Sequence, residues 1–132
     1  MEYIIFTGQL FLSIFLGSLI GWQRHNIGKA AGARTFAMVS VGSTLFTLLS
    51  INMSSGDPSR IAAQILTGIG FIGAGTIIHK KDNVEGLTTA AGLWSVAAIG
   101  MAIGFGWYIQ AIIASILIFI VFAIKTDKNK WY

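Results

Sequence analysis

Five stretches of the chain, residues 3–22, 35–52, 61–78, 88–103 and 107–124, are almost wholly apolar, and charge is confined to the short segments around them. A helix crossing about 30 Å of hydrocarbon needs roughly 20 mostly apolar residues, so each stretch reads as a membrane span. The last two are short and joined only by Gly104-Phe105-Gly106, which makes them a tight hairpin. Composition agrees: 11% of the 132 residues are charged and 55% are hydrophobic. A soluble domain carries about a quarter charged residues. The expected fold is an all-α membrane protein, a single-domain compact bundle of five transmembrane helices. No polar or Pro-rich linker divides it, and so few residues follow the fifth span that no C-terminal soluble domain is expected. Glu2 and the lack of a basic leader argue that the first span is retained and not cleaved as a signal.

The basic residues supply an orientation. Arg24, Lys29 and Arg34 lie in the first turn, Lys80 and Lys81 in the third, and Lys125, Lys128 and Lys130 in the tail, with Arg60 alone on the other side. Such a bias places the N-terminus outside and the C-terminus in the cytoplasm, as an odd number of spans requires. The net charge of +4 is thus a topology signal and not a nucleic-acid footprint. Tyr3, Trp107 and Tyr108 fall at the outer interface, Trp22, Trp131 and Tyr132 at or beyond the inner one. Trp94 lies about two turns inside the fourth span, where its indole N–H needs a partner. Asp57-Pro58 is an N-cap followed by proline at the first helical position, Thr88 or Thr89 is a candidate cap for the fourth helix, and Gly86 makes the turn into it.

The third stretch carries Gly68, Gly70, Gly73 and Gly75. Gly68-x-Gly70-x-x-Gly73 formally matches a dinucleotide fingerprint, but that motif needs a strand before it and water beside it. Close helix packing explains the glycines better. Residues 61–78 are therefore expected to be the central packing helix, with Ala63, Thr67, Gly70 and Ala74 as one small-residue stripe. Gly17 with Gly21, Gly100 with Gly104, and Ala91, Ser95, Ala98 and Ala102 form similar stripes. On this reading Gly70→Leu or Gly73→Leu disrupts assembly.

Polar groups are few. Arg60 and Gln64 are one helical turn apart with Thr67 near the same face, either as an interface arginine with a hydrogen-bonding amide or as a polar pocket opening outward. Arg24 and Arg34 share the cytoplasmic side with Lys80, Lys81 and the start of the fourth helix, around Thr88 and Thr89. Free N–H groups at a helix start favour anions, so a headgroup, a partner carboxylate or a phosphate is a candidate ligand, with Arg34 as its centre. The acids Glu2, Asp57, Asp82, Glu85 and Asp127 all lie at span ends or in turns. His25 and His79 lack neighbours at ligand spacing, and there is no cysteine for a disulfide or thiolate site. Magnesium prefers several oxygen ligands that include a carboxylate, so a magnesium conduit is disfavoured. No metal or cofactor is expected, and no nucleophile–base pair supports an enzyme.

These motifs resemble the MgtC/SapB family of bacterial inner-membrane proteins. The matching stretches are Gly17-Ser-Leu-Ile-Gly21 with Arg24, Ala31-Gly-Ala-Arg-Thr35, Asp57-Pro-Ser-Arg-Ile-Ala-Ala-Gln64, Gly68-Ile-Gly-Phe-Ile-Gly-Ala-Gly-Thr-Ile-Ile78 and Gly86-Leu-Thr-Thr-Ala-Ala-Gly-Leu-Trp94. The resemblance implies a five-helix membrane domain linked to magnesium limitation, intracellular survival and virulence. For its best-known members it implies inhibition of the F-type ATP synthase and not direct magnesium transport. The family usually has glutamate immediately before Arg24, where this chain has Gln23, and its virulence branch carries a cytoplasmic domain after the fifth helix. The expected function is non-enzymatic: helix contact with itself, as a homo-oligomer, or with a membrane complex in a lipid setting. The alternative is an oligomeric channel or transporter lined by Gln64, Thr67, Thr76 and Ser95.

Overall fold

A computed structural model of the chain describes residues 1–26, 29–53, 56–81 and 83–124. The side chain of His25, residue Asp82 and the tail residues Lys125, Asp127, Lys128, Lys130, Trp131 and Tyr132 lie outside the described residues. The helices are α1 (Glu2–Asn26), α2 (Ala33–Met53), α3 (Ser59–Ala74), α4 (Leu87–Gly104) and α5 (Tyr108–Ala123). A small antiparallel hairpin, β1 (Ile78–Lys80) and β2 (Asn83–Glu85), separates α3 from α4.

The helix at the centre is α4, which touches all four others. It buries Thr89, Gly92, Leu93, Val96, Ala97, Ile99, Gly100, Ile103 and Gly104, nine of its 18 residues. Leu16 and Ile20 of α1, Phe36 of α2 and Ile69 of α3 complete the apolar core around it. The expectation that residues 61–78 form the central helix is thereby corrected. Helix α3 lies at the side of α2 and α4, with Phe71 86% exposed, and it ends at Ala74. Thr76 and Ile77 donate their N–H groups to Gly73 and Ala74 in a tight turn, after which Ile78 pairs with Glu85 in the hairpin. The polar His79-Lys80-Lys81 run favours this exposed turn over another turn of apolar helix.

Close helix approach occurs, but mostly elsewhere than in α3. A β-carbon on Gly17 would lie 2.8 Å from the Phe36 carbonyl oxygen, and one on Gly21 would lie 2.7 Å from Phe36 Cβ. On α4, a β-carbon at Gly104 would meet Thr47 Cβ at 2.6 Å, and one at Gly100 would collide with the Ser40 carbonyl. Gly68 and Gly70, by contrast, would meet nothing within 4 Å in this chain. Gly73 is buried against Ala90 at ordinary contact, 3.6 Å, and Gly75 closes the end of its own helix.

The α2 face against these glycines is built of hydroxyls: Ser40, Ser43, Thr44, Thr47 and Ser50 are all buried. Thr44 Oγ1 donates to the Ser40 carbonyl at 3.0 Å or across to the Gly100 carbonyl at 2.9 Å, while Thr47 returns to Ser43 at 2.8 Å. On α1, Gln9 Nε2 donates to the Ile103 carbonyl at 3.0 Å. Between apolar helices in lipid there is little hydrophobic gain, so small residues and such hydrogen bonds hold the contact.

Three helices, α1, α2 and α4, are long and apolar enough to cross a membrane. The other two, α3 and α5, are apolar but have 16 residues each, about 24 Å of helix at 1.5 Å per residue. The expected Asp57 cap is shifted by one residue: Pro58 is the N-cap of α3 and no side chain caps it, while just before the helix Asp57 Oδ1 accepts from the Ser59 N–H at 2.9 Å and its Oδ2 from the Ser59 hydroxyl at 2.7 Å. Gly86 makes the turn into α4 with φ +86°, and Gly106 makes the α4–α5 turn with φ +82°. Neither Thr88 nor Thr89 caps α4: the helix starts at Gly86 with no side-chain cap, and Thr89 points inward instead.

Candidate functional site

One end of the bundle gathers the C-terminus of α1 and the N-termini of α2 and α4, together with the C-terminus of α5. Gly17 and Gly21 admit the start of α2, and Gly92 lies under the rings of Phe36 and Phe122. Into this junction α1 sends Arg24, which is only 5% exposed. Its Nη2 donates to Thr89 Oγ1 at 2.9 Å, and its Cζ stands 4.6 Å from the centroid of the Phe122 ring. Phe122 in turn meets Phe36 edge-on, with centroids 6.2 Å apart and planes at 73°.

The guanidinium is thus surrounded by a neutral hydroxyl and an aromatic face, without a carboxylate among the described residues. Its Nε is buried and has no acceptor, and the neighbouring Gln23 Oε1 is buried without a donor. Buried charges are normally paired, because leaving water without a counter-charge is costly. Glu85, at the foot of α4, is exposed and engaged by Lys80 at 2.8 Å. The Lys80 hydrogen bond and then its charge hold the Glu85 carboxyl below its ordinary range.

Of the residues grouped in the sequence as a candidate anion site, the structure brings only some together. Arg24 and Thr89 are in direct contact, whereas Arg34 is exposed and makes no ion pair among the described residues. Thr88 is exposed on the first turn of α4, and Lys29, Lys80 and Lys81 are exposed nearby in sequence. Arg60 is exposed far along the chain at the start of α3, near Asp57. Gln64 and Gly68 line an apolar groove of about 510 Å³ between α2 and α3, beside Met38, Phe46 and Ile65. Trp94 is 54% exposed and its indole N–H has no hydrogen-bond partner among the described residues, so the expected buried partner is not found. It borders a second groove of about 290 Å³ with Ser95, Gln110 and Ile118.

Of the four residues expected to line a polar path, Gln64, Thr76 and Ser95 do not converge within one chain. Gln64 faces the α2–α3 groove, and Ser95 faces the α4–α5 groove while donating to Ala91. Thr76 is used in the turn after α3, where it donates to the Gly73 carbonyl at 2.8 Å. Among the described residues no three of His, Asp and Glu cluster as a metal site would need. Two features of the site had escaped the sequence reading. The α2 hydroxyls were legible as Ser40, Ser43, Thr44, Thr47 and Ser50 at helical spacing. The approach of Phe122 to Arg24 had no local signal, because nearly a hundred residues separate them.

The MgtC family model matches residues 10–131, which is nearly the whole chain. The chain belongs to the MgtC family. Protein MgtC of Salmonella typhimurium is 47% identical over 110 residues, 83% of this chain and 48% of the relative. A protein of Escherichia coli K12, provisionally named as the magnesium transporter YhiD, is 44% identical over 129 residues, 91% of this chain and 59% of the relative. An uncharacterized protein of Haemophilus influenzae is 37% identical over 141 aligned positions, 98% of this chain and 59% of the relative. The chain thus spans about half to three-fifths of the length of these curated relatives. No solved structure matches it.

Proposed function

We propose that this MgtC-family chain is a multi-pass protein of the bacterial inner membrane that serves magnesium homeostasis through contact, with itself or with a membrane complex, and not as an enzyme. The observation that carries this reading is Arg24: the charge buried in the bundle is a cation without a carboxylate among the described residues. A buried guanidinium repels a divalent cation, and the α2–α4 seam beside it is closed by glycine-to-backbone contact. A single copy therefore makes a poor magnesium path. In this reading all five helices span, with the Arg24 end in the cytoplasm and the N-terminus outside. The exposed Lys29, Arg34, Lys80 and Lys81 support that orientation.

The experiment is co-purification of the full chain from native membranes, with the F-type ATP synthase as the partner that the family suggests. It is paired with magnesium flux into proteoliposomes. Retention of a membrane complex without flux supports contact; specific, saturable flux from the purified protein refutes it. A second reading, an ion path formed between copies, is favoured by the name of the Escherichia coli relative and by the open groove at Gln64. Tags at both termini test the topology: a cytoplasmic N-terminus with a cytoplasmic C-terminus would remove the five-span arrangement.

A further inference from the structure

We propose that the first turn of α4, backed by Arg24, binds a phosphate group. Two independent features point to it. The first is the helix start. Gly86 provides no capping side chain, and the first helical bond runs from the Ala90 N–H to the Gly86 carbonyl at 2.9 Å. The N–H groups of Leu87, Thr88 and Thr89 therefore precede the ladder, at the positive end of an 18-residue helix. Thr88 adds an exposed hydroxyl beside them.

The second feature is the side chain behind that turn. Arg24 reaches Thr89, the third residue of the helix, with Nη2, yet its buried Nε has no acceptor. A guanidinium held to a neutral hydroxyl and a ring keeps its positive charge uncompensated, and Glu85 is taken by Lys80. Phosphate suits this set better than a carboxylate, because three acceptor oxygens and about −1.5 to −2 charges answer both a cation and several N–H donors. The exposed Lys29, Arg34, Lys80 and Lys81 raise the local anion concentration without fixing geometry. A phospholipid headgroup shares the phosphoryl group, but as a diester it offers two free oxygens and a single negative charge, so a soluble phosphate answers the site more fully. The site does not depend on the contact function above and would stand equally in a channel.

The test uses the full chain in two lipid settings. In neutral phosphatidylcholine nanodiscs, inorganic phosphate is titrated and followed by phosphorus NMR, with sulfate as a competitor. In nanodiscs that also contain phosphatidylglycerol, retained lipid is counted by native mass spectrometry. Thr88→Asp places a carboxylate on the exposed turn: it should weaken phosphate binding about tenfold or more by like-charge repulsion. The same change leaves the melting temperature at or above wild type, since an acid favours a helix start. Arg24→Lys, which keeps the charge but loses the planar fork, should also weaken binding. Binding of inorganic phosphate in the neutral discs assigns a soluble ligand, and selective retention of phosphatidylglycerol assigns a headgroup. Neither signal in the wild type, or a signal that both substitutions leave unchanged, overturns the proposal.

Discussion

Replacing Gly21 with alanine tests where this bundle is held together. The added β-carbon would lie 2.7 Å from Phe36 Cβ, 2.8 Å from Ala33 Cα and 2.8 Å from the Gly32 carbonyl oxygen. Comfortable carbon–carbon contact begins near 3.5 Å, so α1 and α2 must separate by something under about 1 Å, and the obstacles are mostly backbone. Overpacking of this kind costs about 1–3 kcal/mol, and a rigid obstacle belongs at the upper end. Alanine returns up to about 1 kcal/mol through helix propensity, leaving a net loss of about 2 kcal/mol. Gly70→Ala meets nothing within 4 Å and should be neutral or slightly stabilising. Reversible unfolding of both variants in one mixed detergent series measures the gap. A Gly21→Ala protein as stable as Gly70→Ala would refute the packing argument. Oligomeric state adds a second readout: a Gly70→Leu protein that folds but changes its state places another copy on the open face of α3.

Further outcomes follow from single contacts. Gly86→Ala should cost at least about 1–3 kcal/mol in thermal or denaturant unfolding, because φ is +86° and the new carbon would strike the Thr76 carbonyl. Phe122→Ala, which removes a half-buried ring and its contact with Arg24, should cost about 2 kcal/mol, with Phe122→Tyr costing less in the same assay. Asp57 has a carboxyl held below its ordinary range by the Ser59 hydroxyl and then the Ser59 N–H. Its contribution is therefore full above the unfolded carboxyl value near 4 and is lost as pH falls through the lower folded value. The melting-temperature advantage of wild type over Asp57→Asn should shrink on acidification through that window; an advantage that grows would contradict a stabilising Asp57–Ser59 contact.

Much of the fold was legible because lipid leaves few choices. The spans at 3–22, 35–52, 88–103 and 107–124 each coincide with a helix to within a few residues, and Asp57, Gly86 and Gly106 mark the turns between elements. The third span was overrun because apolarity continues to Ile78, whereas the chain leaves the helix at Ala74 to pair Ile78 with Glu85. The weight given to Gly68 and Gly70 misled for a related reason. A glycine permits close approach but does not specify a neighbour, and only the tertiary arrangement decides which glycines receive one. Gly17 and Gly21 face α2, Gly100 and Gly104 face its hydroxyls, and Gly70 faces away from the rest of the chain. At the candidate site, counting charges grouped Arg24 with the start of α4 but favoured Arg34, since position in the sequence says nothing about which arginine is enclosed.

The distribution of polarity bears on what such a bundle does. Along the α2–α4 seam the buried groups are hydroxyls, and most are consumed within the protein: Thr44 by Ser40 and Gly100, Thr47 by Ser43, with Ser40 Oγ left without a partner. A conduit needs groups free to replace the hydration of an ion, and magnesium surrenders its water reluctantly even to carboxylates. Hydroxyls already committed to the backbone, packed where Gly100 meets Ser40, serve adhesion between helices instead. Among the described residues the buried side-chain atoms left without a partner are Arg24 Nε, Gln23 Oε1 and Ser40 Oγ, the first two at the end of the bundle where α4 begins.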